Sequence, residues 1–157
     1  AFGPDDLDAY ARMLGDARTQ RFIGDGATFD RDDAWRQLAM VVGHWQLRGF
    51  GLWAAQERAT GQLVGRIGLY RPEGWPGLEL GWLVARERWG EGLAPEGAAA
   101  ALRFAFDVLR APRLISLIHP DNAASIRVAE KLGERFERDV VVRGQRARLY
   151  AIAAPGR

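Results

Sequence analysis

A chain of 157 residues, 48% hydrophobic and 27% charged, is long enough for one domain that buries about two-thirds of its unfolded surface. It carries no apolar run near the ~18 residues of a membrane span, and its net charge of +2 comes from 22 basic residues, Lys131 alone being lysine, against 20 acids. The absence of cysteine excludes disulfides, thiolate metal sites and a cysteine nucleophile, and suits a reducing cytoplasmic setting.

The arginines describe either a solvated surface or a nucleic-acid face. They are spread along the chain among acids with no block of like charge, so no nucleic-acid partner is expected, and no membrane partner either. No cluster of ligand residues points to a metal. The alanine run at Ala98–Ala101 reads as helix interior, with no basic segment and cleavage site to make it a signal peptide.

Phe2 to Leu7 reads as a helix start, with Leu7, Tyr10, Ala11 and Leu14 on one face. An irregular loop is expected over Arg18 to Thr28. A second helix beginning near Asp32, capped by Asp30 or Thr28, would carry Trp35, Leu38, Ala39, Val42 and Trp45 as its apolar stripe and leave His44 on its surface. Gly51–Glu57 and Gln62–Arg71 form a hairpin about the turn at Ala59–Gly61. Pro72 to Gly77 is a loop in which Trp75 either covers a pocket or packs down.

Leu78 to Val84 is a short apolar strand. Ala85 to Arg88 is a polar turn, and Trp89-Gly90-Glu91-Gly92-Leu93-Ala94 leads into an alanine-rich helix opened by Pro95 and Glu96 and running to about Leu109. A strand, a glycine turn and a helix in that order present free main-chain N–H groups at a helix N-terminus, where the dipole favours an anion such as a phosphate. The third glycine and distant acid of a dinucleotide fold are missing, and so is the Gly-Lys-Ser/Thr of a P-loop. Arg113–Ile118 is the next strand, and His119 after it is either a base or structural. Asn122–Leu132 is a helix with Ala123, Ile126, Ala129 and Leu132 inward, stopped by Gly133. Arg135–Val142 and Arg146–Ile152 close the chain as a hairpin before a frayed tail, Ala153–Arg157.

The glycine turn resembles motif A of the GNAT acetyltransferases, Gln/Arg-x-x-Gly-x-Gly/Ala, with Gly92 and Ala94 matching. Trp89 stands where Gln or Arg is usual, a departure associated with the RimJ/RimL-like branch. His119 to Gly133 resembles the same family's Asn-x-x-Ser…Glu-Lys-x-Gly signature. The resemblance covers roughly Phe2 to Ile152 and implies an α/β (α+β) fold forming a single acetyltransferase domain, residues 1–157. Its central sheet is mixed but mostly antiparallel, flanked by helices and splayed between the family's fourth and fifth strands. The given sequence begins about where the family's first strand should end; if the protein does without that strand, the next one becomes a sheet edge and a homodimer is open.

The resemblance also implies acetyl-CoA as cosubstrate and an amine acceptor, with no metal. Trp82, Leu83 and Val84 would offer main-chain groups to the pantetheine arm, the Val84 N–H serving as oxyanion donor. Arg88, Trp89, Gly90, Glu91, Gly92, Leu93 and Ala94 would hold the pyrophosphate, with Arg86 as a further source of charge. Asn122 is either a helix cap or a pantetheine contact. Ser125, in a chain with no tyrosine between Tyr70 and Tyr150, either bonds its own backbone or protonates the leaving thiolate. Glu79 is the general base or a strand-face ion-pair partner. Phe22, Phe29, Trp35 and Trp75 are core residues or acceptor contacts. The leading acceptor is a protein or peptide N-terminal α-amine, ahead of a small-molecule amine such as an antibiotic. The non-enzymatic rival is an acyl-CoA-binding regulatory domain.

Overall fold

The computed structural model describes residues 1–156. A single 3-10 turn, Pro4–Asp6, leads into α1 (Leu7–Gly15); α2 (Ala17–Gln20) and α3 (Arg31–Arg48) follow, then β1 (Leu52–Gln56), β2 (Leu63–Tyr70) and β3 (Glu79–Val84). The rest is α4 (Leu93–Asp107), β4 (Arg113–Ile118), α5 (Ala123–Lys131), β5 (Arg135–Val142) and β6 (Gln145–Ala153). The sheet order is β1-β2-β3-β4-β6-β5, antiparallel throughout except between β3 and β4. These are the two strands between which the resemblance expects the sheet to splay.

Alternation along the strands divides the core between two faces. Leu52 and Leu83 pack with Tyr10, Leu14, Leu38 and Val41 from α1 and α3. Ile67, Leu69, Leu80 and Val84 pack with Ala98, Ala101 and Ala105 of α4 on the other face. The approach of α4 is close because Gly97 faces β2, where an added Cβ would lie 2.5 Å from Ile67 Cδ1.

Four expectations are corrected. The buried stripe of α3 is Ala34, Leu38, Val41 and His44, while Trp35 is 58% exposed and Val42 faces solvent. Apolar residues surround this helix on every side, so its periodicity leaves the buried face ambiguous by about one residue. His44 is buried because both ring nitrogens are used. Nδ1 lies 3.0 Å from the Phe50 carbonyl, and the Arg71 N–H donates to Nε2 at 3.0 Å. This fixes the neutral Nδ1–H tautomer, and burial holds the imidazole below its ordinary value. The loop after Arg18 begins in a helical turn, with Asp16 accepting the Thr19 N–H at 2.8 Å. At the tail, Ala153 belongs to β6 and the Ala154 N–H donates to the Pro112 carbonyl at 2.9 Å; Arg157 lies outside the described residues.

Candidate active site

Strand register determines which main-chain groups reach the gap between β3 and β4. Val84 pairs opposite Gly65, and the Ala85 N–H donates to the Val64 carbonyl at 2.8 Å. By the antiparallel alternation, Glu79, Gly81 and Leu83 then turn their backbone groups to β2, while Leu80, Trp82 and Val84 turn theirs to β4. β4 meets β3 at a single parallel pair, Glu79 with Ile115, where the Ile115 N–H donates to the Leu78 carbonyl at 2.9 Å. The next rung would join the Leu117 N–H to the Leu80 carbonyl. A side chain takes the carbonyl instead: Ser116 Oγ donates to the Leu80 carbonyl at 2.7 Å, while the Leu117 N–H acts on the Glu79 carboxyl. Past this point the strands part, leaving the Trp82 main chain and the Val84 N–H facing the gap. The Val84 carbonyl accepts from Trp89 Nε1 at 2.8 Å.

The same strand runs through the 3-10 turn Arg86–Arg88 into α4. Gly90 and Gly92 have φ of 84° and 82°, a region costing other residues about 1–2 kcal/mol. Gly92 is the N-cap and has no side chain to satisfy the first-turn donors, so the Leu93 and Ala94 N–H groups point outward. The space before both glycines is open. Arg88 bonds Glu91 through Nε at 3.0 and 2.9 Å and lies 3.0 Å from Glu57, and Arg86 lies 3.6 Å from Asp16. Both cations at this turn are therefore engaged by acids, leaving the backbone amides and the helix dipole as its unengaged positive groups.

Glu79 projects into the start of the gap, where Trp75 Nε1 donates to Oε2 at 2.6 Å. Burial pushes its carboxyl up to about 7, against the opposing bonds from Trp75 and Leu117 and the charge of Arg66. Asn122 caps α5, its side-chain oxygen accepting from the Ser125 N–H at 3.2 Å. The Ser125 hydroxyl oxygen accepts from Trp82 Nε1 at 3.3 Å, so its proton is free to be donated. Beneath them lies Glu134, 2% exposed and raised to about 7 by burial. Its Oε1 is 3.0 Å from Ser116 Oγ, and its Oε2 has no partner. The single Ser116 hydroxyl proton is within reach of both the Leu80 carbonyl and Glu134 Oε1 and serves one of them at a time.

These groups open onto a cavity of ≈ 390 Å³ lined by Glu79, Trp82, Asn122 and Ser125, with Phe22 and Trp75 on its wall. Phe29 and Trp35, the other two expected acceptor contacts, do not line it. Phe29 packs against the α1–α3 core, and Trp35 faces solvent from the outer side of α3. Sequence reasoning missed Arg66, Tyr70, Ser116, Arg143 and Arg146 on the same wall. The first three sit in apolar strands without a motif. Arg143 carried a faint signal: Arg143-Gly144 is a two-residue hairpin turn with φ of 50° and 79°, which carries the arginine over the Trp75 ring at 5.2 Å. Among the described residues no group of three or more His, Cys, Asp or Glu is placed to hold a metal ion. No helix there is long and apolar enough to cross a membrane.

A mixed α/β domain whose sheet opens between two parallel strands and runs into a glycine turn at a helix N-terminus is the class of structure this chain presents. The acetyltransferase (GNAT) domain family model matches residues 1–135, and the chain belongs to that family. It is 37% identical over 94 residues to the uncharacterized protein YkkB of Bacillus subtilis, a match covering 59% of this chain and 55% of that one. The chain spans about half the length of the curated relatives it matches. An acetyltransferase structure from Agrobacterium tumefaciens superimposes with a TM-score of 0.84 at 28% identity, covering 96% of this chain and 86% of that one. A GNAT-family structure from Bordetella pertussis gives 0.78 at 28%, covering 95% and 90%.

Proposed function

We propose that the protein transfers an acetyl group from acetyl-CoA to a primary amine by direct attack within a ternary complex. The observation that carries this reading is the gap itself: a central strand that pairs with β4 only at Glu79–Ile115, with Ser116 on the Leu80 carbonyl and unpaired main chain beyond. Those groups suit the amides of a pantetheine arm, and the uncapped amides of Gly92, Leu93 and Ala94 suit a pyrophosphate. Acetyl-CoA would supply the activated acyl group. In the reaction the N–C bond forms, the C–S bond breaks, the nitrogen loses a proton and the thiolate gains one. Glu79, poised near neutrality, takes the amine proton; the Val84 N–H faces the developing oxyanion; the Ser125 hydroxyl presents a proton to the sulfur.

The acceptor we favour is a protein or peptide N-terminal α-amine, in the manner of the RimJ/RimL-like branch that Trp89 suggests. An α-amine deprotonates near ~8, against ~10.4 for an alkyl ammonium, and asks less of a base whose own value is about 7. Thiol release from acetyl-CoA, followed with panels of peptides and small amines, tests the proposal. Acceptor-dependent release supports transfer; tight acetyl-CoA binding with no release from any amine returns the regulatory-domain reading.

A further inference from the structure

The charges around the acceptor cavity are lopsided. Among the described residues Glu79 is the only carboxylate on its wall, whereas Arg66, Arg143 and Arg146 all line it. Each comes from a different place: Arg66 from the middle of β2, Arg143 from the β5–β6 turn, Arg146 from the start of β6. Among the described residues none of the three has a carboxylate within 4.0 Å. Arg66 is half-buried and makes only neutral contacts, to the Tyr10 hydroxyl at 2.7 Å and Gln37 Oε1 at 3.5 Å. A half-buried guanidinium without a counter-ion is costly unless an anion arrives, and its planar fork matches a carboxylate. Arg143, stacked over Trp75, holds a second guanidinium beside the ring that donates to Glu79. Arg66 and Arg143 both act electrostatically on Tyr70, and Arg66 on Glu79 as well, so the cations and the base share one space.

We infer that the acceptor carries a carboxylate a few bonds from its reacting amine, held by Arg66, Arg143 and Arg146 while Glu79 receives the amine proton. This rests on the transferase reading above. The carboxylate is that of a free amino acid or of an acidic side chain near a peptide N-terminus. Polycationic amines are rejected, since three guanidinium groups repel them and Glu79 alone cannot compensate.

Thiol release with paired acceptors tests the inference. Amino acids are compared with their amides, and peptides differing only by Glu or Lys at the second position with one another. The carboxylate-bearing member of each pair is expected to show kcat/KM higher by roughly ten- to a hundred-fold, the scale of a charge-assisted hydrogen bond, with the gap narrowing in high salt. Preference in the amino-acid pair alone identifies a small acceptor, and in the peptide pair alone a polypeptide one. In Arg143→Gln and Arg146→Gln, both on exposed positions, the ratio within a pair falls toward one. In Arg103→Gln, exposed on α4, the ratio stays at the parent value. Turnover with equal use of both members, or a ratio unmoved by the Arg143 and Arg146 changes, overturns this inference and leaves the transferase reading standing. Release from no amine at all overturns both.

Discussion

Glu79 sits at the one residue pair joining β3 to β4, bonded by Trp75, and it faces the acceptor cavity. Its value of about 7 makes kcat/KM of the parent rise as pH increases through neutrality. Glu79→Gln keeps an oxygen for Trp75 and Leu117, so the gap should persist while the base is lost. The expected result is a fall of about 10²–10⁴ in kcat/KM and loss of the limb near pH 7; an unchanged profile would remove Glu79 from the chemistry. Glu134 gives a stability test. Its folded value of about 7 exceeds the ordinary 4.5, so the folded state keeps a proton that the unfolded chain releases. The carboxyl is neutral to folding below ~4.5, and it opposes folding increasingly from there to ~7 and fully above. Glu134→Gln, whose amide can still donate to Ser116, should unfold at higher denaturant than the parent at pH 8. That advantage should shrink towards pH 5; a gap independent of pH would mean that Glu134 is not the buried acid described.

At the scale of elements, the strand–turn–helix from Glu79 to Asp107 was legible because its signals are local: a strand run, two glycines and a proline in the first helical turn. The β3–β4 opening became visible through resemblance, but what produces it did not, since Ser116 and Glu134 lie 18 residues apart and meet only in the fold. The inward face of α3 was misread for the opposite reason, too many apolar residues rather than too few, and His44 was misplaced because its two partners lie at the ends of other segments. The glycine turn carries its own prediction. Gly92→Ala must adopt φ near 82° with a Cβ, costing about 1–2 kcal/mol, or reshape the turn and misdirect the Leu93 and Ala94 amides. Calorimetry should show coenzyme A binding weakened by roughly ten-fold, and Gly92→Asn, which tolerates the left-handed region, should lose less. Equal affinity in all three proteins would place the pyrophosphate elsewhere.

Taken as a whole, the molecule stacks helices on both faces of a sheet, and the flanking helices were expected through the resemblance. Its polar interior was not: Glu79, Ser116 and Glu134 form a short file through the sheet at the point where pairing stops. The arginines of the acceptor wall come from β2 and the terminal hairpin, segments that no local pattern connects.

The parted strands also give the centre of the sheet an unusual solvent history. Amides in a middle strand ordinarily exchange hydrogen for deuterium only when the protein opens. Those of Trp82 and Val84 should exchange on the timescale of a surface loop, while Gly81 and Leu83, committed to β2 on alternate positions, stay protected. Adding coenzyme A should slow the fast pair and leave the slow pair as it was, giving a deuterium record of every second residue along one strand.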